Sequence, residues 1–320
     1  MGRSIKARCP ANSVIVGRKG TLNKPLLIEE PFWNIDTCFG VIPSTTILPK
    51  YLFAFCQSFD FYSLIPASGR PSTTSYAVRG IQIPLPPLAV QREIVARLER
   101  ELGAVDKLAK KFEELEAAAE AEFKAELKET FEGGGFEVVK LADYCSFTGG
   151  SQPPKSTFVY EPQEGYVRLF QIRDYNGDPK PTYIRVADAK KVSRRGDIMI
   201  GRYGASIGLV FWAEDGAYNV AMVKVIIKSS MILPEYVFYA LTSPRVQRIF
   251  QSASRNAQAG FNDGEWAKME VPLPTVECQR EVVARLDAAK GKKEKLVAAA
   301  RRGRETAALM RKAILKEAFE

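Results

Sequence analysis

One stretch of this chain occurs twice, and it limits the possible folds more than composition does. Residues 83–98 read IPLPPLAVQREIVARL and residues 271–286 read VPLPTVECQREVVARL, identical at ten of sixteen positions. In both copies Pro-Leu-Pro stops the element before it, because proline has no N–H to give a helix or an inner strand. Apolar residues then recur at three- and four-residue spacing, the mark of a helix. Each copy therefore closes a globular unit and opens a helix, and the chain parses as unit, helix, unit, helix. The expected fold is α+β: two mixed α/β domains at 1–87 and 136–274, separated by two long helices at 88–135 and 275–320.

The first helix is expected from Leu88 to Glu132, with Ile94, Leu98, Leu102, Val105, Leu108, Phe112, Leu115, Ala119, Phe123 and Leu127 in one near-heptad seam. At 1.5 Å per residue it would be a rod about 65–70 Å long, ended by Gly133-Gly134-Gly135. The second, from Thr275 to Glu320, carries Val282, Leu286, Leu296, Ala300, Ala307, Met310 and Ile314, and closes on LKEAFE where the first closes on LKETFE. Residues 87–135 hold 8 Lys and Arg against 12 Asp and Glu, net −4, and residues 275–320 hold 12 against 7, net +5. Opposite charge and matching seams predict a two-helix coiled coil, antiparallel because the unit between the helices must return the chain. Packing of each helix on its own domain is the alternative.

The globular units repeat each other in part. Residues 12–20 (NSVIVGRKG) match 196–204 (GDIMIGRYG), and 49–53 (PKYLF) match 234–238 (PEYVF), at offsets of 184 and 185. Residue 1 then aligns near residue 185, so the first unit lacks a counterpart for about 50 residues of the second, which begins near Phe136. In the second unit, strand-like runs lie at 167–172, 197–200, 209–212 and 222–227. Pro234 opens a helix through Leu241, and Ser243-Pro244 supplies the N-cap and first proline of another through Phe250. Residues 252–264 (SASRNAQAGFNDG) have no apolar period and read as a loop, with residues 67–76 (ASGRPSTTSY) as its counterpart.

Several chemistries are excluded. The chain has no histidine, which removes Ser-His-Asp and Cys-His catalysis and HExxH zinc hydrolysis. Five scattered cysteines, none in a CxxC pair, indicate neither a disulfide framework nor a zinc site. No apolar run approaches the roughly 20 residues of a membrane span, and no signal peptide opens the chain, so a soluble cytoplasmic protein is expected. The net charge of +9 favours a polyanionic partner. The turns Gly17-Arg18-Lys19-Gly20 and Gly201-Arg202-Tyr203-Gly204 place a cation beside backbone that glycine leaves open, which suits a phosphate, although a tight turn with an exposed arginine accounts for them equally. They are neither P-loops nor Rossmann fingerprints. Gln152-Pro153-Pro154-Lys155 reads as a loop, and Glu122 with Lys124 as a solvated helix face.

The duplicated PLP…QRE(I/V)VARL entry, the helices ending LKE(T/A)FE, and the GDIMIGRYG and LPEYVFYAL stretches resemble the DNA specificity subunit of Type I restriction-modification systems. The likeness covers nearly the whole chain and recurs in both halves. It implies two target-recognition domains, each reading half of a bipartite site in double-stranded DNA: residues 1–87 as the C-terminal part of the first, truncated at its N-terminus, and 136–274 as the second. It implies that the two conserved helices hold these domains apart and dock two methyltransferase subunits, and through them restriction subunits. On that reading the chain is no enzyme and carries no metal or cofactor, S-adenosylmethionine and ATP being expected on the partner subunits. The candidate DNA contacts are Arg18, Lys19, Arg70, Ser72, Thr73 and Thr74 in the first unit, and Arg202, Tyr203, Arg255, Asn256 and Gln258 in the second: cations for phosphates, hydroxyls and amides for base edges. Since the units differ in sequence, the site is expected to be asymmetric. An inactive remnant of such a subunit and a coiled-coil scaffold that binds no DNA are the alternatives.

Overall fold

The computed structural model describes residues 8–65, 72–177, 179–254 and 260–320. The chain forms two compact units, one of Met1–Ala117 with Val297–Glu320, the other of Ala118–Leu296. The long helices are α3 (Leu88–Glu132) and α8 (Val276–Glu317), and each contributes one end to each unit. Among the described residues no helix is long and apolar enough to cross a membrane.

In the first unit, β1 (Ser13–Gly17) lies between β2 (Leu26–Ile28) and β3 (Cys38–Val41), antiparallel to both. Val14 and Val16 of β1 share one face, as the two-residue period of a strand requires, and both are fully buried. They pack against Leu52, Phe55 and Cys56 of α1 (Pro49–Ser58) and against Leu22 and Phe61. Pro49 opens α1 at the position where a missing N–H costs nothing. The short α2 (Ser75–Arg79) leads to Pro-Leu-Pro and α3.

The second unit is larger. After α3, Gly133 donates its N–H to the Glu129 carbonyl, and Gly134 and Gly135 take positive φ angles of 85° and 96°, ending the helix as expected. Strand β4 (Val138–Lys140) pairs with the late β13 (Glu270–Pro272). Between them come α4 (Leu141–Tyr144), β5 (Cys145–Gly149), β6 (Tyr166–Phe170), β7 (Tyr183–Arg185), β8 (Val192–Ser193), β9 (Ile198–Gly201), β10 (Val210–Trp212), β11 (Gly216–Tyr218) and β12 (Met222–Ile227). These strands make two sheets, ordered β10-β9-β12-β5 and β7-β6-β11-β8. The order β10-β9-β12 repeats β2-β1-β3 of the first unit, and no described residue there supplies a strand like β5. Helices α5 (Pro234–Thr242), α6 (Pro244–Ser254) and α7 (Asp263–Trp266) follow. Residues 252–264 are thus not one loop: α6 continues through Ser254 and α7 begins at Asp263, where Asn262 and Glu265 form a reciprocal capping box. The Ser243 hydroxyl, expected to cap α6, donates back to the Ala240 carbonyl instead.

Within each unit the ends of α3 and α8 run antiparallel. In the first, Asp106 pairs with Arg311 at 2.7 Å, and Glu116 with Arg301 at 3.1 Å and Arg304 at 2.6 Å. In the second, Glu122 pairs with Lys292 at 2.7 Å and Glu126 with Arg285 at 2.9 Å. Acid sits on α3 and base on α8 in these pairs, as the unequal charges predict, while Arg97 of α3 pairs with Glu317 of α8 in the opposite sense at 3.5 Å. In the first unit the seam buries Val105, Ala300 and Ala307, and in the second Ala119, Leu127 and Leu286, while Leu108, Leu115 and Met310 of the first are 38%, 37% and 43% exposed and stand at its margin.

The repeated motif has a structural cause. Gln91, fully buried, accepts from the Leu48 N–H at 2.9 Å and donates to the carbonyls of Thr46 (2.9 Å) and Pro86 (2.8 Å). Gln279, also fully buried, accepts from Leu233 N–H at 2.8 Å and donates to Met231 (2.8 Å) and Pro274 (2.9 Å). Tyr51 gives its hydroxyl to the Pro84 carbonyl, and Tyr236 gives its own to Pro272. The two ends of the repeated LKE-x-FE sequence close the same place: Phe319 meets the Tyr51 ring at 5.2 Å and Phe131 meets the Tyr236 ring at 5.3 Å. One amide and one phenol therefore lock each globular part to the helix that leaves it, and the helix that arrives caps the lock with a phenylalanine.

Candidate nucleic-acid interface

Each Gly-Arg-x-Gly turn follows the central strand of its sheet, β1 or β9. A Cβ on Gly17 would overlap the Thr21 carbonyl oxygen, and one on Gly201 would overlap that of Ser206, so the first glycine allows the chain to double back against itself. The last glycine takes positive φ, 76° at Gly20 and 60° at Gly204. A second segment then crosses the turn: Thr73 N–H donates to the Arg18 carbonyl at 3.0 Å, and Phe261 N–H to the Arg202 carbonyl at 3.3 Å. Next along the chain, the Thr74 side chain accepts from Ala77 N–H at the start of α2, as that of Asn262 accepts from Gly264 N–H at the start of α7. The two sites share one backbone plan.

The arginine meets an aromatic ring in both, supplied by the neighbouring strand in one and by the next residue in the other. Arg18 lies over the Phe39 ring at 5.6 Å and Arg202 over the Tyr203 ring at 5.2 Å. In each, Nε is buried without a hydrogen-bond partner, and neither guanidinium forms an ion pair among the described residues. Arg18 does donate from Nη1 to the Asp36 carbonyl at 3.3 Å. A cation stacked on an aromatic face keeps its charge without a carboxylate to neutralise it.

The other expected contacts divide. Lys19 sits beside Ser72 through an isolated antiparallel bridge, and its ammonium pairs with Asp36 at 3.0 Å. That hydrogen bond, followed by the lysine charge, holds the Asp36 carboxyl below its usual range. Thr73 is buried with an unpartnered hydroxyl, and the Thr74 hydroxyl is engaged in capping. Tyr203 is 42% exposed and packs against Gly260, where a Cβ would lie 2.6 Å from its ring. Arg70, Arg255, Asn256 and Gln258 lie outside the described residues.

The fold also brings in residues that motif reading passed over. A one-turn helix, Ile172–Tyr175, abuts the second turn: Ile172 Cδ1 would lie 3.3 Å from a Cβ on Gly201, and Asn176 donates to the Ser206 hydroxyl at 2.7 Å. This places Arg173, whose Nε is also unpartnered, beside the Arg202 turn, next to the ion pair of Arg168 with Asp174 at 3.0 Å. The polar run Gln171-Ile-Arg-Asp after a strand was the only available signal. No group of three acidic, cysteine or histidine side chains that could hold a metal occurs among the described residues.

Residues 1–117 and 134–297 match the family described as the Type I restriction modification DNA specificity domain. The chain belongs to that family. Its members are specificity subunits, the non-catalytic components of Type I restriction-modification systems. One relative is the specificity subunit of the Type I restriction enzyme MjaVIII from Methanocaldococcus jannaschii, 22% identical across 46% of this chain and 34% of that protein. Another is the EcoBI specificity subunit of Escherichia coli, 25% identical across 86% of this chain and 66% of that protein. The specificity-domain chain thus spans about a third and about two thirds of the lengths of these relatives. Among solved structures, a chain from a study of complex assembly and conformational transition in a type I restriction-modification system aligns over 99% of this chain and 84% of its own length, with a TM-score of 0.83 and 24% identity. The HsdS subunit of Thermoanaerobacter tengcongensis aligns over 99% and 83%, with a TM-score of 0.56 and 23% identity. These likenesses establish the α+β fold with long helices between strand-rich parts.

Proposed function

We propose that this chain is the DNA-binding specificity subunit of a Type I restriction-modification complex. Its two units read the halves of an asymmetric bipartite site, and its helices dock methyltransferase subunits and, through them, restriction subunits. The observation that carries this reading is the duplicated arginine, stacked on a ring, unpaired by any described carboxylate and crossed by the same backbone in both units. Such a cation finds its counter-charge in a ligand, and a DNA phosphate supplies one in both halves whatever the bases. Around it the units differ, with Lys19 and Ser72 in one and Tyr203 and Arg173 in the other, so anchoring is shared while base reading is not. The methyl donor and ATP belong to the partner subunits, and the complex acts in the cytoplasm. Mapping DNA methylation in cells that co-express the chain with its methyltransferase subunit tests this. One asymmetric bipartite motif is expected; methylation that is absent, or scattered without a motif, would overturn the reading.

A further inference from the structure

The two units are built on one plan, and at one place on their helical faces they differ in bulk. In the first unit a groove of about 300 Å³ runs beside α1 and α3, walled by Leu27, Phe53, Ala54, Leu98 and Leu102. The strand registers align Leu27, opposite Val14, with Trp212, opposite Ile198. The repeated helices align Phe53 with Phe238, Ala54 with Tyr239, Glu99 with Asp287 and Leu102 with Lys290.

In the second unit these positions are filled. Trp212 stacks on Phe238, centroids 4.6 Å apart and planes 6° apart, Lys290 lies over the same ring at 5.5 Å, and Tyr239 is buried with its hydroxyl donating to Asp287 at 2.5 Å. The first unit has leucine for tryptophan and alanine for tyrosine, yet keeps the carboxylate. Glu99 stands at the rim, held by Lys50 at 2.6 Å, and Arg311 with Asp106 guards the far end. The place that the second unit fills with its own aromatic side chain is open in the first, with the acceptor for that side chain's hydroxyl still present.

We infer that this groove receives an aromatic side chain bearing a hydrogen-bond donor, a tyrosine or a tryptophan, from a methyltransferase subunit. The second unit, already plugged, offers that subunit no such pocket. The two docking faces are therefore unequal, and the first copy of the partner to bind does so on the first unit. The ring would cover the apolar walls as Tyr239 covers its own, and its O–H or N–H would meet Glu99. Aromatic anchors in preformed pockets are the usual source of strong local binding energy at protein interfaces. This inference rests on the proposed function for the identity of the partner, whereas the inequality of the two faces comes from the fold.

The test is a titration of the chain with its methyltransferase subunit, followed by calorimetry and native mass spectrometry. The wild-type chain should bind two equivalents in two unequal steps. Leu27→Trp with Ala54→Tyr, which copies the second unit into the first, should weaken the tighter step tenfold or more and leave the weaker unchanged. Leu102→Lys, which sets at the rim the residue the second unit carries there, adds no bulk to the core and should weaken the same step even if the double variant folds poorly. Two equal steps in the wild type, or unaltered binding by Leu102→Lys and by a folded double variant, would overturn the inference while leaving the functional reading intact. A wild-type chain that binds no methyltransferase subunit would overturn both.

Discussion

Replacing Gln279 with leucine keeps the volume of the buried side chain but removes all three of its hydrogen bonds. Leu233 N–H loses its acceptor, and the carbonyls of Met231 and Pro274 lose a donor, around a side chain that is itself fully buried. A buried N–H left without a partner costs about 1–3 kcal/mol, and each further hydrogen bond lost about 0.5–1.5 kcal/mol. The expected loss is therefore about 2–6 kcal/mol, a large part of the roughly 5–15 kcal/mol that holds a domain folded. Gln279→Glu should be worse than leucine, because its carboxylate faces two carbonyl oxygens that need a donor. Urea denaturation followed by tryptophan fluorescence reads the effect: in a Trp33→Phe background only Trp212 and Trp266, both in the second unit, report. Gln91→Leu should weaken the first unit by a similar amount. A loss below about 1 kcal/mol in Gln279→Leu would refute the argument that this amide fixes the globular part to the helix.

If Arg18 and Arg202 meet phosphates as proposed, Arg18→Ala and Arg202→Ala should each lower the salt dependence of DNA binding by the assembled complex by about one unit without lowering its melting temperature, because neither removes an internal ion pair. An unchanged slope in both would take these turns out of the interface. Four residues inserted within 117–121 add about 6 Å to α3, so if the helix pair sets the spacing of the readers, the recognised motif should gain about one or two base pairs between unchanged half-sites. Methylation mapping checks this, and an active variant with an unaltered spacer removes the helices from that role. Burial pushes the Cys56 and Cys145 thiols up to about 12 from an ordinary value of 9.0. Below pH 9 both folded and unfolded chains hold these protons. From there to pH 12 only the unfolded chain releases them, so each thiol should weaken the folding equilibrium about tenfold per pH unit. Denaturation midpoints at pH 8 to 11 should fall more steeply for the wild type than for Cys56→Ala with Cys145→Ala.

What sequence could reveal depended on whether the signal was periodic or repeated. The long helices were legible to within a residue at their starts because their apolar period persists and proline and glycine punctuate both ends of α3. The antiparallel ladder was legible from charge, since Glu116 and Arg301 belong to helices of opposite sign. Contacts that only tertiary folding creates were not. Nothing adjacent in sequence to Arg18 announces that Phe39, on the strand β3 that pairs with β1, becomes its platform, or that Asp36 takes the charge of Lys19. Polarity is a poor guide too: composition alone reads residues 252–264 as one loop, although Asn262-x-x-Glu265 is a capping box and marks a helix start within it. The same rule reaches Thr74, whose hydroxyl caps α2 and so has one acceptor site already occupied.

The repeat separates what must stay fixed from what is free to vary. Positions identical in both units, Gln91 with Gln279 and Tyr51 with Tyr236, are buried and fully hydrogen-bonded, so replacing either leaves polar backbone stranded. Gly17 with Gly201 and Gly20 with Gly204 are equally constrained, by close approach and by positive φ. Positions that differ, Lys19 with Tyr203 and Ser72 with Gly260, lie beside the arginine turn, and Lys19 and Tyr203 are both exposed. Such a division lets a reading surface change without unfolding its support. It also predicts where change is tolerated: exchanging Lys19 and Tyr203 between the units should alter which bases are preferred while leaving both melting transitions in place.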